Sequence, residues 1–199
     1  MFWYQFGLQW YSKKVTEGII IDKKALRQQQ IKRLSENQAQ TKTEGLELLK
    51  KLIELPEWKN AQSIATTVSS PMEVPTTPII QAAQEAGKKV YLPKTMPHRQ
   101  MAFLPFTSSD DLVVSKFGIP EPEYNEELVN QTPDLVLVPG LAFAKDTNYR
   151  VGFGGGYYDR FLAKYPGKTV TLVPSTMLFE TADWEIDKYD IKIQKLILV

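Results

Sequence analysis

Apolar positions along this chain fall into two rhythms, helical and extended, and the two alternate. Residues 23–34 carry Leu26, Ile31 and Leu34 at helical spacing behind Asp22, whose carboxylate is suited to cap a helix start. Residues 43–55 repeat the pattern with Leu46, Leu49, Leu52 and Ile53 as core positions, Gly45 near the start and Pro56 as the stop. Residues 63–69 read as a strand, 70–75 as a loop, 76–87 as a helix ended by glycine, and 89–93 as the next strand. That strand–helix–strand order predicts a right-handed parallel crossover. Residues 101–106 and 112–114 read as short strands of a small antiparallel excursion, and 117–122 as a loop whose prolines forbid regular structure. Further strands are expected at 135–138, 169–174 and 193–199. The fold class is therefore α/β: one domain over residues 22–199 with an open, mostly parallel sheet flanked by helices. Residues 1–21 form an N-terminal appendage with no derivable role.

The most informative run is 133–162. Leu135 to Val138, bounded by Pro133 and by Pro139 and Gly140, reads as a strand buried on both faces. Residues 157–165 have helical spacing, with Tyr157 or Tyr158, Phe161, Leu162 and Tyr165 on or near one face. Between them, glycine stands at 152, 154, 155 and 156. Such a loop loses much backbone entropy, which a fold tolerates where positive φ is needed or a ligand approaches the main chain. Strand, glycine loop and helix start let backbone amides converge on one anion, with the helix dipole in support. Arg150, at the entrance of the loop, has a fork suited to phosphate oxygens. Asp159 sits in the first helical turn, uncomfortably near a phosphate unless a cation lies between, and a carboxylate beside phosphates points to Mg²⁺. The alternative is a plain glycine-rich turn with Asp159 as a helix-start residue. The loop lacks the Gly-Lys-Ser/Thr of one phosphate-binding motif and the glycine spacing of the dinucleotide fingerprint.

Composition narrows the chemistry. The 199 residues are 43% hydrophobic, enough for a sizeable core, and the formal net charge of +1 argues against a general nucleic-acid or membrane-surface binder. With no cysteine and one histidine, His98, a metal site must be built from oxygen ligands, which favours Mg²⁺. No run is long and apolar enough to span a membrane, and residues 1–11, though aromatic-rich, lack the basic start of a signal peptide. A cytoplasmic location is expected. Lys23, Lys24 and Arg27 crowd the first turns of the first helix, where the dipole disfavours cations; they read as a solvated basic face or as an anion site. Glu73 lies just past the carboxyl end of the first parallel strand, where open α/β sheets place ligands. Residues 184–191 form a loop with Glu185, Asp187 and Asp190.

With these residues in place, the chain resembles the 5-formyltetrahydrofolate cyclo-ligase (methenyltetrahydrofolate synthetase) family over about residues 22–199. The resemblance rests on Val138-Pro-Gly-Leu-Ala-Phe143 followed by Tyr149-Arg-Val-Gly-Phe-Gly-Gly-Gly-Tyr-Tyr-Asp-Arg160. It is supported by residues 23–27, 72–77, 118–122 and 190–193. It implies an α/β fold that takes ATP, Mg²⁺ and a reduced folate, and converts 5-formyltetrahydrofolate to 5,10-methenyltetrahydrofolate with release of ADP and phosphate. By motif position it implies Lys23 and Arg27 on ATP, and Arg150, Val151, Gly152, Phe153, Gly154, Gly155, Gly156, Tyr157 and Tyr158 around the nucleotide. Phe153, Gly154, Gly155, Gly156 and Tyr157 would also face the folate, with Glu73 on the pterin. Asp159 and Asp190 would hold Mg²⁺, and Arg150 and Tyr157 would be the catalytic residues. Ala144 stands where the family commonly has Asp, Tyr189 where it often has His, and Pro75 where it is usually acidic. Its partners would be small molecules only, with neither nucleic acid nor membrane, acting on a monomer. Two other readings remain: a non-catalytic nucleotide or folate binder on the same scaffold, and a nucleic-acid module using Lys23, Lys24, Arg27, Lys32 and Arg33.

Overall fold

Leu135, Val136 and Leu137 are buried without exception, because their strand lies inside a sheet covered on both faces. Side chains alternate across a strand. Leu135 and Leu137 join one apolar cluster with Leu48, Leu52, Ile79 and Ile80, while Val136 joins another with Ala65, Phe103, Leu162 and Ile193.

The computed structural model describes residues 13–15, 18–109 and 112–199, with side chains from Ile20 onward except at 110 and 111. Much of the expected appendage, residues 1–12 and 16–17, lies outside the described residues. The elements in order are β1 (Lys13–Val15), β2 (Gly18–Ile20), α1 (Lys23–Glu36), α2 (Gln38–Glu54), α3 (Pro56–Asn60), β3 (Ser63–Ala65), α4 (Thr77–Glu85), β4 (Lys89–Thr95) and β5 (Met101–Pro105). They continue with β6 (Leu112–Val114), β7 (Pro120–Pro122), β8 (Leu135–Leu137), β9 (Ala142–Ala144), β10 (Arg150–Val151), α5 (Tyr157–Leu162), β11 (Lys168–Val173), β12 (Leu178–Phe179) and β13 (Lys195–Leu198). The main sheet runs β13-β11-β8-β3-β4-β5, parallel throughout except for the antiparallel β4–β5 pair at its edge. This is the mixed α/β architecture expected, with the β3–α4–β4 crossover in place. A small sheet, β10-β9-β12, lies beyond the carboxyl end of β8, and β6 and β7 form a separate hairpin. Among the described residues no helix is long and apolar enough to cross a membrane.

Several details differ from the sequence expectation. The buried stripe of α1 is Leu26, Gln30 and Leu34, and Ile31 is exposed. A glutamine takes the core position because its amide donates to two buried carbonyls, Leu141 O at 2.7 Å and Thr176 O at 3.1 Å. In α2 the core positions are Thr41, Gly45, Leu48 and Leu52; Leu46 is exposed, and Leu49 and Ile53 pack at the margin. Gly45 lies mid-helix because the 73–75 loop crosses there: a β-carbon would stand 3.1 Å from Pro75 Cδ. The proline-rich 120–122 segment is a strand after all, since a two-stranded edge ribbon leaves the missing donors without consequence. Residues 101–105, expected in a small antiparallel excursion with 112–114, are antiparallel as expected but pair with β4 and form the edge of the main sheet, while 112–114 pairs with 120–122. The helix after the glycines stops at Leu162, and the strand that feeds the glycines is β10 rather than β8.

Candidate functional site

Beyond β10 the chain turns through the glycines into α5. Gly154 has φ +95° and Gly156, which caps α5, has φ +69°, so two of the four glycines hold a backbone that other residues resist. Gly155 does not; a β-carbon there would meet the Tyr157 ring at 2.8 Å. Phe153 stands half-exposed at the tip. With six residues, α5 contributes less dipole than the longer helix expected from sequence.

The amino end of α1 packs against this loop. Asp22 caps the helix through Ala25 N at 2.9 Å. One turn on, Arg27 Nε donates to Gly152 O at 2.8 Å, and its guanidinium lies 3.4 Å from where a Gly154 β-carbon would stand. Lys23 pairs with Asp190. The solvated-face reading therefore survives for Lys24, which is exposed, and fails for Lys23 and Arg27.

Arg150 is not at an open entrance. It is 6% exposed, and its Nη2 donates to Asp159 Oδ1 at 3.1 Å. Its Cζ lies 5.8 Å from the centre of the Tyr158 ring, and its Nε is buried without a hydrogen-bond partner among the described residues. The cation expected beside Asp159 is thus, within the chain itself, Arg150. Ile191 N also donates to Asp159 Oδ1, at 3.3 Å, and Asp187 N donates to Asp190 Oδ2 at 2.8 Å. One backbone step therefore ties the two carboxylates together. Asp159 Oδ2 and Asp190 Oδ1 accept no hydrogen bond among the described residues. Two hard carboxylates, each with a free oxygen, suit an ion that takes its remaining ligands from water and phosphate.

Glu73 stands where the strand-end rule puts it. Its Oε2 accepts from Ser70 N at 2.9 Å and Ser70 Oγ at 2.8 Å, and it borders a cavity of about 50 Å³ at the carboxyl ends of β3 and β8. Thr66, Thr67 and Gly140 line the same cavity. The Tyr158 hydroxyl feels the charges of both Arg150 and Glu73. It is buried without a partner among the described residues, and burial pushes its pKa well above that of an ordinary phenol. The Arg150 charge opposes that rise and the Glu73 charge adds to it. Over the other side, Phe117 from the β6–β7 connection meets Tyr157 edge to face, with ring centres 6.1 Å apart.

The profile of the 5-formyltetrahydrofolate cyclo-ligase family matches residues 20–194. The chain belongs to the 5-formyltetrahydrofolate cyclo-ligase family. A Haemophilus influenzae 5-formyltetrahydrofolate cyclo-ligase is 30% identical over 154 residues, 71% of this chain and 80% of that one. A Schizosaccharomyces pombe protein of the same family name is 34% identical over 128 residues, and the match spans 62% of its length. The solved structure of Aquifex aeolicus 5,10-methenyltetrahydrofolate synthetase superposes with a TM-score of 0.74 at 30% identity, covering 88% of this chain and 89% of that one.

In this cyclo-ligase family fold, Lys23, Arg27, residues 150–158, Asp159 and Asp190 come into one region, and Glu73 lies within electrostatic range of Tyr158. The family departures take structural positions. Ala144 is buried in β9, Pro75 packs on Gly45 of α2, and Tyr189 is exposed with the Lys188 ammonium 4.9 Å from its ring centre. His98 lies exposed in a short turn. Thr66 and Thr67 were open to the strand-end argument that singled out Glu73. The Ile191 amide had no sequence signal, because any residue supplies it.

Proposed function

We propose that this chain is an ATP-dependent ligase that cyclises 5-formyltetrahydrofolate to 5,10-methenyltetrahydrofolate, releasing ADP and phosphate. The observation that carries the reading is that Arg27 and Arg150 lie against a glycine loop with positive φ at Gly154 and Gly156, beside Asp159 and the Lys23–Asp190 pair. Family membership makes this the reading to prefer over a non-catalytic binder.

The chemistry asks for positioning rather than a protein nucleophile. A formamide carbonyl is a poor electrophile because its nitrogen donates into it. When the formyl oxygen attacks the γ-phosphorus of ATP, ADP leaves and that oxygen becomes part of a good leaving group. The neighbouring folate nitrogen then bonds to the formyl carbon and gives up its proton, and phosphate departs with the oxygen and can carry that proton away. Arg27 and Lys23 hold the phosphate chain from the α1 side, and the amides of 152–156 approach it from the loop. Arg150 neutralises charge on the transferring group. Asp159 and Asp190 are the residues that would hold Mg²⁺, which when bound neutralises and orients the β- and γ-phosphates. Glu73 accepts hydrogen bonds from the donor edge of the pterin. Its cavity, far below the roughly 300–1,000 Å³ of a whole-ligand pocket, takes that edge only. Tyr157 and Phe153 supply ring surface to the folate.

The test is to mix the protein with Mg²⁺, ATP and 5-formyltetrahydrofolate and follow the methenyl chromophore together with phosphate release. Chromophore formation that requires ATP supports the reading. Folded protein that binds both substrates without forming the chromophore supports the non-catalytic alternative.

A further inference from the structure

Four charged groups of this site are paired with one another. Lys23 pairs with Asp190, and Arg150 with Asp159 at 3.1 Å. The side chains are 19% and 18% exposed in the first pair, and 4% and 24% in the second, so solvent screens them less than surface pairs. The Ile191 amide, donating to Asp159 at 3.3 Å, fixes the two pairs side by side. Two cations face two carboxylates and the quartet is neutral. Arg27 differs: it rests on the neutral Gly152 carbonyl, with no carboxylate in ion-pair reach among the described residues.

We propose that Lys23 and Arg150 mask Asp190 and Asp159 in the free protein, so that the site takes a divalent cation and a nucleotide triphosphate strongly only as a pair. This rests on the nucleotide reading above. A metal ion arriving alone finds only Asp159 Oδ2 and Asp190 Oδ1 open and meets the repulsion of the Lys23 ammonium and the Arg150 guanidinium held on the neighbouring oxygens; driving Arg150 off would leave it buried and unpaired, which is costly. A metal-free triphosphate arriving alone must draw the same cations away and leave two poorly solvated carboxylates facing its own negative charge. When both arrive, partners are exchanged: the cations turn to phosphate oxygens, the carboxylates to the metal, and no charge is left unpaired. Arg27, with no carboxylate to give up, is the cation open to the nucleotide from the start. Coupling of this kind is reciprocal, so the nucleotide must tighten metal binding by the factor with which the metal tightens nucleotide binding.

The test is binding, not turnover. Mn²⁺ serves as the metal probe, followed by its paramagnetic resonance, and ATP in EDTA as the metal-free nucleotide, followed by calorimetry. In the wild type, Mn²⁺ should bind at least about fivefold more tightly with ATP than its own affinity for ATP explains. Lys23→Met should tighten binding of Mn²⁺ alone, because Asp190 loses its internal partner. Asp190→Asn should tighten binding of metal-free ATP, because Lys23 is released. A pair that merely holds the fold together predicts neither gain. Equal affinities with and without the co-ligand, or variants that weaken both single-ligand affinities, overturn the proposal and leave the nucleotide reading standing. Wild-type protein that binds no Mn²⁺–ATP complex overturns both.

Discussion

Arg27 on the first helix donates to the carbonyl of Gly152 at 2.8 Å, across 125 positions of sequence. That bond accounts for one cation of a basic turn that otherwise works against its own helix. Lys23, Lys24 and Arg27 sit where the dipole disfavours cations. Arg27 and Lys23 nevertheless find acceptors outside the helix, on the glycine loop and on Asp190. Their placement serves the junction of α1 with the loop, and the junction is where the phosphate chain is proposed to lie.

Removing Arg27 should therefore separate the two substrates. A hydrogen bond to a charged group contributes about 1.5–3 kcal/mol, or roughly ten- to a hundredfold in affinity. Arg27→Ala should raise KM for ATP by about that factor and leave KM for the folate within about threefold. Steady-state kinetics with each substrate varied in turn decides it. A rise confined to the folate would assign the helix to the other substrate.

The anchor one turn further along α1 should read out as stability. Gln30 is 2% exposed and satisfies Leu141 O and Thr176 O. Gln30→Leu fills the volume but strips both carbonyls, at about 1–3 kcal/mol for each group left unsatisfied. For a chain of this size the melting temperature should fall by about 4 °C or more. A thermal melt unchanged within about 1 °C would show that water replaces the glutamine without cost.

The main sheet and the glycine loop were legible in sequence for one reason: both are written in composition over short windows. Leu135 to Val138 is apolar throughout because both faces are covered, and glycines cluster where φ turns positive. What sequence could not carry was pairing at a distance. Ile31 has the better apolarity, yet Gln30 faces the core because two carbonyls from 111 and 146 positions away need its amide. Proline argued against a strand at 120–122, but an edge ribbon with one partner asks little of the missing donors. Arg150 looked like an exposed phosphate fork because nothing local said that Asp159, nine positions on, would hold it inside.

Acid should reveal a structural carboxylate away from the site. Asp134 Oδ2 accepts from Gln62 N at 2.9 Å, Ser63 N at 2.8 Å and Ser63 Oγ at 2.9 Å, tying the starts of β3 and β8. Partial burial pushes its pKa up, but these hydrogen bonds and the Lys88 charge outweigh it and hold the carboxyl below its ordinary value. A folded-state pKa below the unfolded one gives stability that is complete above the unfolded value of about 3.9 and is lost as pH falls through the folded value. Asp134→Asn should cost about 1 kcal/mol at pH 7, a modest figure because the residue is solvent-exposed. The gap between wild type and mutant should close below about pH 4. Denaturant unfolding at a series of pH values measures it, and a gap that widens in acid would reverse the assigned sign.

The glycine loop permits a comparison that separates backbone strain from ligand contact. Gly154 has φ +95° and Gly87, at the end of α4, has φ +72°. A β-carbon at either position costs about 1 kcal/mol or more, since the left-handed region opposes it. A β-carbon added at Gly87 would meet nothing within 4 Å, whereas at Gly154 the new methyl would stand 3.4 Å from the Arg27 guanidinium, on the proposed path of the phosphates. Gly87→Ala and Gly154→Ala should therefore lose similar stability, a few degrees in melting temperature. They should part company in binding. Gly87→Ala should keep wild-type kcat/KM for ATP in the folded protein. Gly154→Ala should lose about tenfold or more, because its methyl stands against the Arg27 guanidinium and obstructs the approach to the loop amides. Equal kinetics in the two variants, with equal loss of stability, would make the glycine loop a turn and nothing else.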